Sequence, residues 1–173
     1  MQPYFLPYAG LFSADDECRC LCRVGTGPVS PAGWVHRNRL RDHKGELDWL
    51  TLPIAGAPVA TAIYDIDFAA AAPRSFQRNL NRFQAARMPR GDAAGLMWLA
   101  RDFTVKPVST IIAMLRAVAA ALHLDVPFVL DSDLGLPPDL RKVERIYAIW
   151  EAMGAKGYVK ASRLWQSATI LAG

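Results

Sequence analysis

The run Gly33-Trp34-Val35-His36-Arg37-Asn38-Arg39-Leu40 gathers the side chains best suited to holding an anion. In an extended chain successive side chains point to opposite faces, so Arg37 and Arg39 would share one side. A guanidinium fork matches the oxygens of phosphate or carboxylate. Each charge-assisted hydrogen bond contributes roughly 1.5–3 kcal/mol net. Two of them give roughly 3–6 kcal/mol, against about 8.2 kcal/mol for micromolar binding. A ligand therefore needs further contacts, and stacking on Trp34, Tyr4 or Tyr8 would supply them. Asn38 and Gln2 are suited to orienting a sugar hydroxyl or an amide. The competing reading is that this segment ties an amino-terminal loop to a sheet. Aromatic residues among prolines, as in Gln2-Pro3-Tyr4-Phe5-Leu6-Pro7-Tyr8, serve packing as readily as recognition.

Other polar groups carry weaker signals. His36 titrates near neutrality and is the candidate general base, although a lone histidine beside arginines also suits a polar network. Asp131 and Asp133 follow a predicted strand, at the end where ligands of α/β proteins bind. They would take a magnesium ion or sugar hydroxyls, or serve only the loop. Glu144 and Arg145 are neighbours in sequence and face different directions on a helix, which argues against their pairing with each other. Cys18, Cys20 and Cys22 are spaced C-x-C-x-C, whereas zinc ligands are usually spaced C-x2-4-C and number four. On a strand the three thiols would share one face, which suits burial as well as a soft metal; no metal site is expected. No phosphate-cradling glycine loop, nucleophile elbow or metal-ligand helix is recognisable, so neither a cofactor nor a catalytic residue is assigned.

These residues must be positioned by one compact domain. The chain has 173 residues, 52% of them hydrophobic and 21% charged, which is globular composition. Net charge is +4, from 20 basic and 16 acidic residues. Architectural DNA binders are far more lopsided, so no nucleic-acid partner is expected. The most apolar stretch, Val108 to Leu124, is broken by Arg116 and is too short for a membrane span. Without a basic, apolar leader the chain is expected in the cytoplasm. Arg74, Arg78 and Arg82 recur every four residues as one stripe of a predicted helix, most simply a solvated face.

Gln2 to Tyr8 is expected extended or looped. Leu50 to Ile54 and Val59 to Phe68 pattern as strands. Pro73 opens a helix to about Arg87, with Phe76, Leu80 and Phe83 inward. Pro107 opens another, carrying Ile111, Ile112, Leu115, Val118, Ala119 and Leu122. Phe128 to Leu130 is a short strand. Leu140 to Met153 is a helix with Val143, Ile146, Tyr147, Trp150 and Met153 inward, stopped by Gly154, and Tyr158-Val159 begins a further strand. Alternating helices and strands with short connections predict an α/β fold, a mainly parallel sheet layered with helices.

Three segments resemble the WbqC-like protein family: Met1-Gln2-Pro3-Tyr4-Phe5-Leu6-Pro7-Tyr8-Ala9-Gly10; Gly33 to Leu40 followed by Trp49-Leu50-Thr51-Leu52-Pro53; and Glu144-Arg145-Ile146 with Met153-Gly154-Ala155 and Tyr158. Their order and spacing agree from residue 1 to about 160, as a single domain spanning 1–173. The chain departs from the family in lacking a hydrophobic strand before the first motif and in its residues after Lys160, so the fold is expected to be incomplete at both termini. Residues 13–32 keep the usual length and lose the apolar pattern. A reading frame that slips and is restored, then slips again near residue 160, accounts for this; so does ordinary divergence with a remodelled edge. The resemblance implies a role in bacterial surface-polysaccharide or aminosugar biosynthesis, with transfer of an acyl or aminoacyl group to an amino sugar as its specific form. Two alternatives stay open: a non-catalytic sugar-nucleotide binding or assembly protein, and a nonfunctional truncated relative. The expected partner is a small anionic or sugar ligand held by Gln2, Tyr4, Tyr8, Trp34, His36, Arg37, Asn38 and Arg39; oligomeric state stays open.

Overall fold

The computed structural model describes residues 2–6, 21–23, 25, 27–28, 33–58, 60–83, 86, 89–125, 127–160 and 169–172. Tyr8, Cys18, Cys20 and much of 13–32 and 160–173 lie outside them. The elements run β1 (Leu21–Arg23), β2 (Arg37–Arg41), β3 (Leu47–Thr51), α1 (Ala72–Leu80), α2 (Asp92–Leu99), α3 (Pro107–Ala121), β4 (Phe128–Leu130), α4 (Lys142–Ala152), β5 (Gly157–Lys160) and β6 (Thr169–Ala172).

Helices and strands mix as expected, but the described strands form three separate two-stranded ladders. Only β1 with β4 is parallel, Leu21 lying opposite Phe128 and Arg23 opposite Leu130. The hairpin β2–β3 and the pair β5–β6 are antiparallel. The described strands therefore do not join into the mainly parallel layered sheet that the rhythm of the second half predicted. Strand β1 falls inside the segment whose apolar pattern is broken, and it nonetheless pairs over its three residues.

Prolines open two helices as anticipated. Pro73 and Pro107 sit in first turns, where a missing N–H leaves no intrahelical bond unmade, and Lys106 before Pro107 is extended. Helix α1 stops at Leu80 rather than near Arg87, in a turn closed by Asn79 and Leu80 carbonyls that still delivers Phe83 to the core. Phe5, Leu50, Leu52, Ile63, Phe76, Leu80, Phe83, Ile111, Met114 and Leu115 are all buried. Phe76 joins Phe5 and Phe103 in edge-to-face contacts at 6.4 and 5.8 Å, so the opening loop is part of this core. Leu122 lies past the end of α3 and is exposed. Among the described residues no helix is long and apolar enough to cross a membrane.

Two expectations fail for identifiable reasons. Val59 to Phe68 is not a strand: it holds bridges at Ala62 and Phe68 around a 3-10 turn, Ile63–Asp65. The N–H groups of Ile63 and Tyr64 are taken by the carbonyls of Gly27 and Gly25, and Ile63 and Ile66 are buried at the three-residue pitch of such a turn. Helix α4 is rotated about its axis from the predicted orientation. Arg145 and Ile149 face inward, while Val143 and Tyr147 are about 60% exposed. The cause is polar: Arg145 is drawn to a buried carboxylate, described below.

Candidate functional site

The hairpin is closed by a turn that its sequence encodes. One carboxylate oxygen of Asp42 accepts the N–H groups of Lys44 and Glu46 at 2.8 and 3.0 Å, and Gly45 takes the positive φ of 86°. Desolvation, the largest single influence on the Asp42 carboxyl, pushes its pKa up, but the two backbone bonds together with the nearby His43 and Lys44 outweigh it and hold the group below its usual range. The register that follows sets Arg37 opposite Thr51, Arg39 opposite Trp49 and Arg41 opposite Leu47. Asn38 and Leu40 alternate to the other face, where Leu50 is fully buried.

On the outer face the guanidinium carbons of Arg37 and Arg39 lie 4.3 and 5.8 Å from the centre of the Trp49 ring. Such stacking is worth about 0.5–1 kcal/mol at an exposed site. Arg37 also donates its Nε–H to the Gly33 carbonyl at 3.1 Å. Trp34 packs on Trp49 at 5.0 Å with planes inclined by 60°, leaving 48% of Trp34 in solvent. The guanidinium of Arg39 has no hydrogen-bond or carboxylate partner among the described residues. This face offers a half-open indole edge and cationic donors side by side, which suits a ligand with a flat apolar surface and an anionic group.

The remaining predicted residues go elsewhere. Asn38 turns inward and donates its amide N–H to the Leu6 carbonyl, while its own oxygen accepts the Arg39 backbone N–H at 2.7 Å. It fastens the opening loop to the hairpin, helped by the Phe5 N–H bond to the Val35 carbonyl at 2.9 Å. Tyr4 is half-buried against the core, and Gln2 is half-buried beside Gly27. His36 is buried at 7% exposure on the wall of a small apolar cavity with Ile54, Ile63, Ile66 and Ile111, its Nδ1 without a hydrogen-bond partner among the described residues. Burial, reinforced by the neighbouring Arg37 charge, lowers its pKa and keeps it neutral. Asn38 thus fastens the loop, whereas Trp34, Arg37 and Arg39 lie together on the outer face of the hairpin. Trp49 is the partner that reading along the chain missed, because its place beneath the arginines depends on hairpin register.

A second polar cluster lies at the end of β4. Asp131 is fully buried; its Oδ1 accepts the Gly25 N–H and the Tyr64 hydroxyl, each at 3.0 Å, and its Oδ2 accepts the Arg145 Nε–H at 2.9 Å. Arg145 also donates to the Pro137 carbonyl at 3.0 Å. Burial first, then the Asp131 charge, push the Tyr64 pKa up, so the phenol keeps its proton and remains a donor. A side chain at residue 25 would run into the Tyr64 ring, with a β-carbon 2.4 Å from it, so glycine is required there. Asp131 was singled out as a strand-end carboxylate, but its partners come from segments far apart in sequence. The arrangement is a fastening: it binds the end of β1, the 3-10 turn and α4 to one carboxylate. Asp133, by contrast, is exposed.

Among known proteins, a sequence model of the WbqC-like protein family matches residues 2–163. No curated protein and no solved structure matches.

Proposed function

The chain belongs to the WbqC-like protein family, and from that membership we propose that it binds an anionic sugar ligand, such as a sugar nucleotide, in bacterial surface-polysaccharide or aminosugar biosynthesis. The observation that carries this reading is the placement of Arg37 and Arg39 on one open hairpin face, over Trp49 and beside the half-exposed Trp34. Arg37 is committed to Gly33 and Trp49 and shapes the platform; Arg39 meets the anion; Trp34 stacks on the sugar or base. We read the chain as a single cytoplasmic domain.

Transfer of an acyl or aminoacyl group would need a base near this face. The burial of His36 among isoleucines favours a binding or assembly role over transfer. Calorimetric titration with UDP-sugars, followed by a product search, tests the reading. Binding without turnover is expected, and Arg39→Ala should weaken it about ten- to a hundredfold, the equivalent of one charge-assisted bond. No binding, or equal binding by the variant, would remove the hairpin face as the site; a new product would restore the transferase reading.

A further inference from the structure

The outer face extends past the two arginines that a single sugar would occupy. Arg37, Arg39 and Arg41 occupy alternate positions of β2, so all three project to the same side. The strand carries them across about 14 Å from first to last, a length that one monosaccharide does not bridge and a short oligosaccharide does. Arg41 commits one N–H to the Gly45 carbonyl at 2.7 Å and keeps its other donors. Neither Arg39 nor Arg41 meets a carboxylate among the described residues, and Leu47, opposite Arg41, is 54% exposed. Trp34 packs on Trp49, the residue opposite Arg39; at the turn end of the row, the Arg41–Leu47 pair offers a cation beside an apolar surface, the same combination in smaller form.

We propose that this face takes an acidic oligosaccharide along β2, one unit stacked on Trp34 and carboxylates of successive units meeting Arg39 and Arg41. This rests on the hairpin being the ligand site and adds that the ligand is a chain. A single-stranded nucleic acid fits less well. Successive bases need successive open rings, whereas Trp49 is already covered by guanidinium groups and, among the described residues of this face, only Trp34 is open.

The test is titration of the full chain with galacturonate monomer, trimer and hexamer, with neutral maltohexaose and with a dodecathymidylate. Affinity should rise at least tenfold from monomer to hexamer, with maltohexaose silent. Arg41→Ala, at an exposed position, should erase most of that gain and leave monomer or UDP-sugar binding unchanged. If UDP-sugar binds in an Arg39-dependent way but chain length brings no gain, the extended ligand is wrong and the hairpin site stands. If neither binds, both fall. Tighter binding of dodecathymidylate than of the hexamer would overturn the glycan in favour of nucleic acid.

Discussion

On the outer face of the hairpin, Arg37 and Arg39 lie over the Trp49 ring and Arg39 is exposed; at the end of β4, Arg145 is 5% exposed and its guanidinium is taken by Asp131 and a carbonyl. The same side chain thus has opposite uses. A guanidinium stacked on a ring is oriented without being neutralised, so its hydrogen-bonding capacity remains for a ligand. A guanidinium buried with a carboxylate is spent, and its value lies in what collapses when one partner is removed. Perturbed, buried charge marks function in many proteins, but here the buried cluster fastens, and the proposed binding surface is the exposed face.

The sharpest way to break that contrast is to remove Arg145. Arg145→Ala leaves the Asp131 carboxylate buried without its cation, and the expected loss is about 3–5 kcal/mol of stability, read from urea unfolding midpoints. A loss below about 1 kcal/mol, the range of exposed pairs, would mean that solvent reaches Asp131 and that the two regions differ less than their burial implies.

A smaller effect belongs to His36, between the two regions. Its folded-state pKa is lowered by burial and by Arg37 from an ordinary value of 6.5. The unfolded chain then binds the proton more readily than the folded one, so stability is full above about 6.5 and declines as pH falls below that value toward the folded-state pKa. Melting temperature should fall from pH 7.5 to 5.5, and His36→Leu should flatten that dependence. An unchanged slope in the variant would assign the acid sensitivity to other groups.

The smallest stability effect is expected for Arg39→Ala, within about 0.5 kcal/mol of the parent because the side chain is exposed and meets no carboxylate among the described residues. A cost above about 1 kcal/mol would show that the outer face, like the Asp131 cluster, holds the fold together, and would weaken its claim to be a binding surface.

What was legible in the sequence was local. Proline positions located the starts of α1 and α3, alternation put Arg37 and Arg39 on one side, and the strand Phe128–Leu130 was read in place. Whatever depended on partners distant in the chain was missed. The inward face of α4 could not be read from hydrophobicity, because a buried ion pair to Asp131 turns Arg145 inward and leaves Val143 and Tyr147 in solvent. Residues 59–68 alternate like a strand, yet the N–H groups of Ile63 and Tyr64 bond to the carbonyls of Gly27 and Gly25, some forty residues earlier. Asn38 shows the same limit within the candidate site: its type suits a ligand, and only its bond to Leu6 reveals that it is already engaged.

The Asp131 carboxylate also ties together contacts of very different span. Its bond to Arg145 closes 14 residues of chain, while its bond to Gly25 closes 106. Closing the longer loop costs about 2 kcal/mol more in chain entropy, and the same amount is recovered when it opens. When this region loosens under mild denaturant, the amino-terminal strand is therefore expected to leave before α4. Amide exchange should therefore be faster at Gly25 than at Arg145.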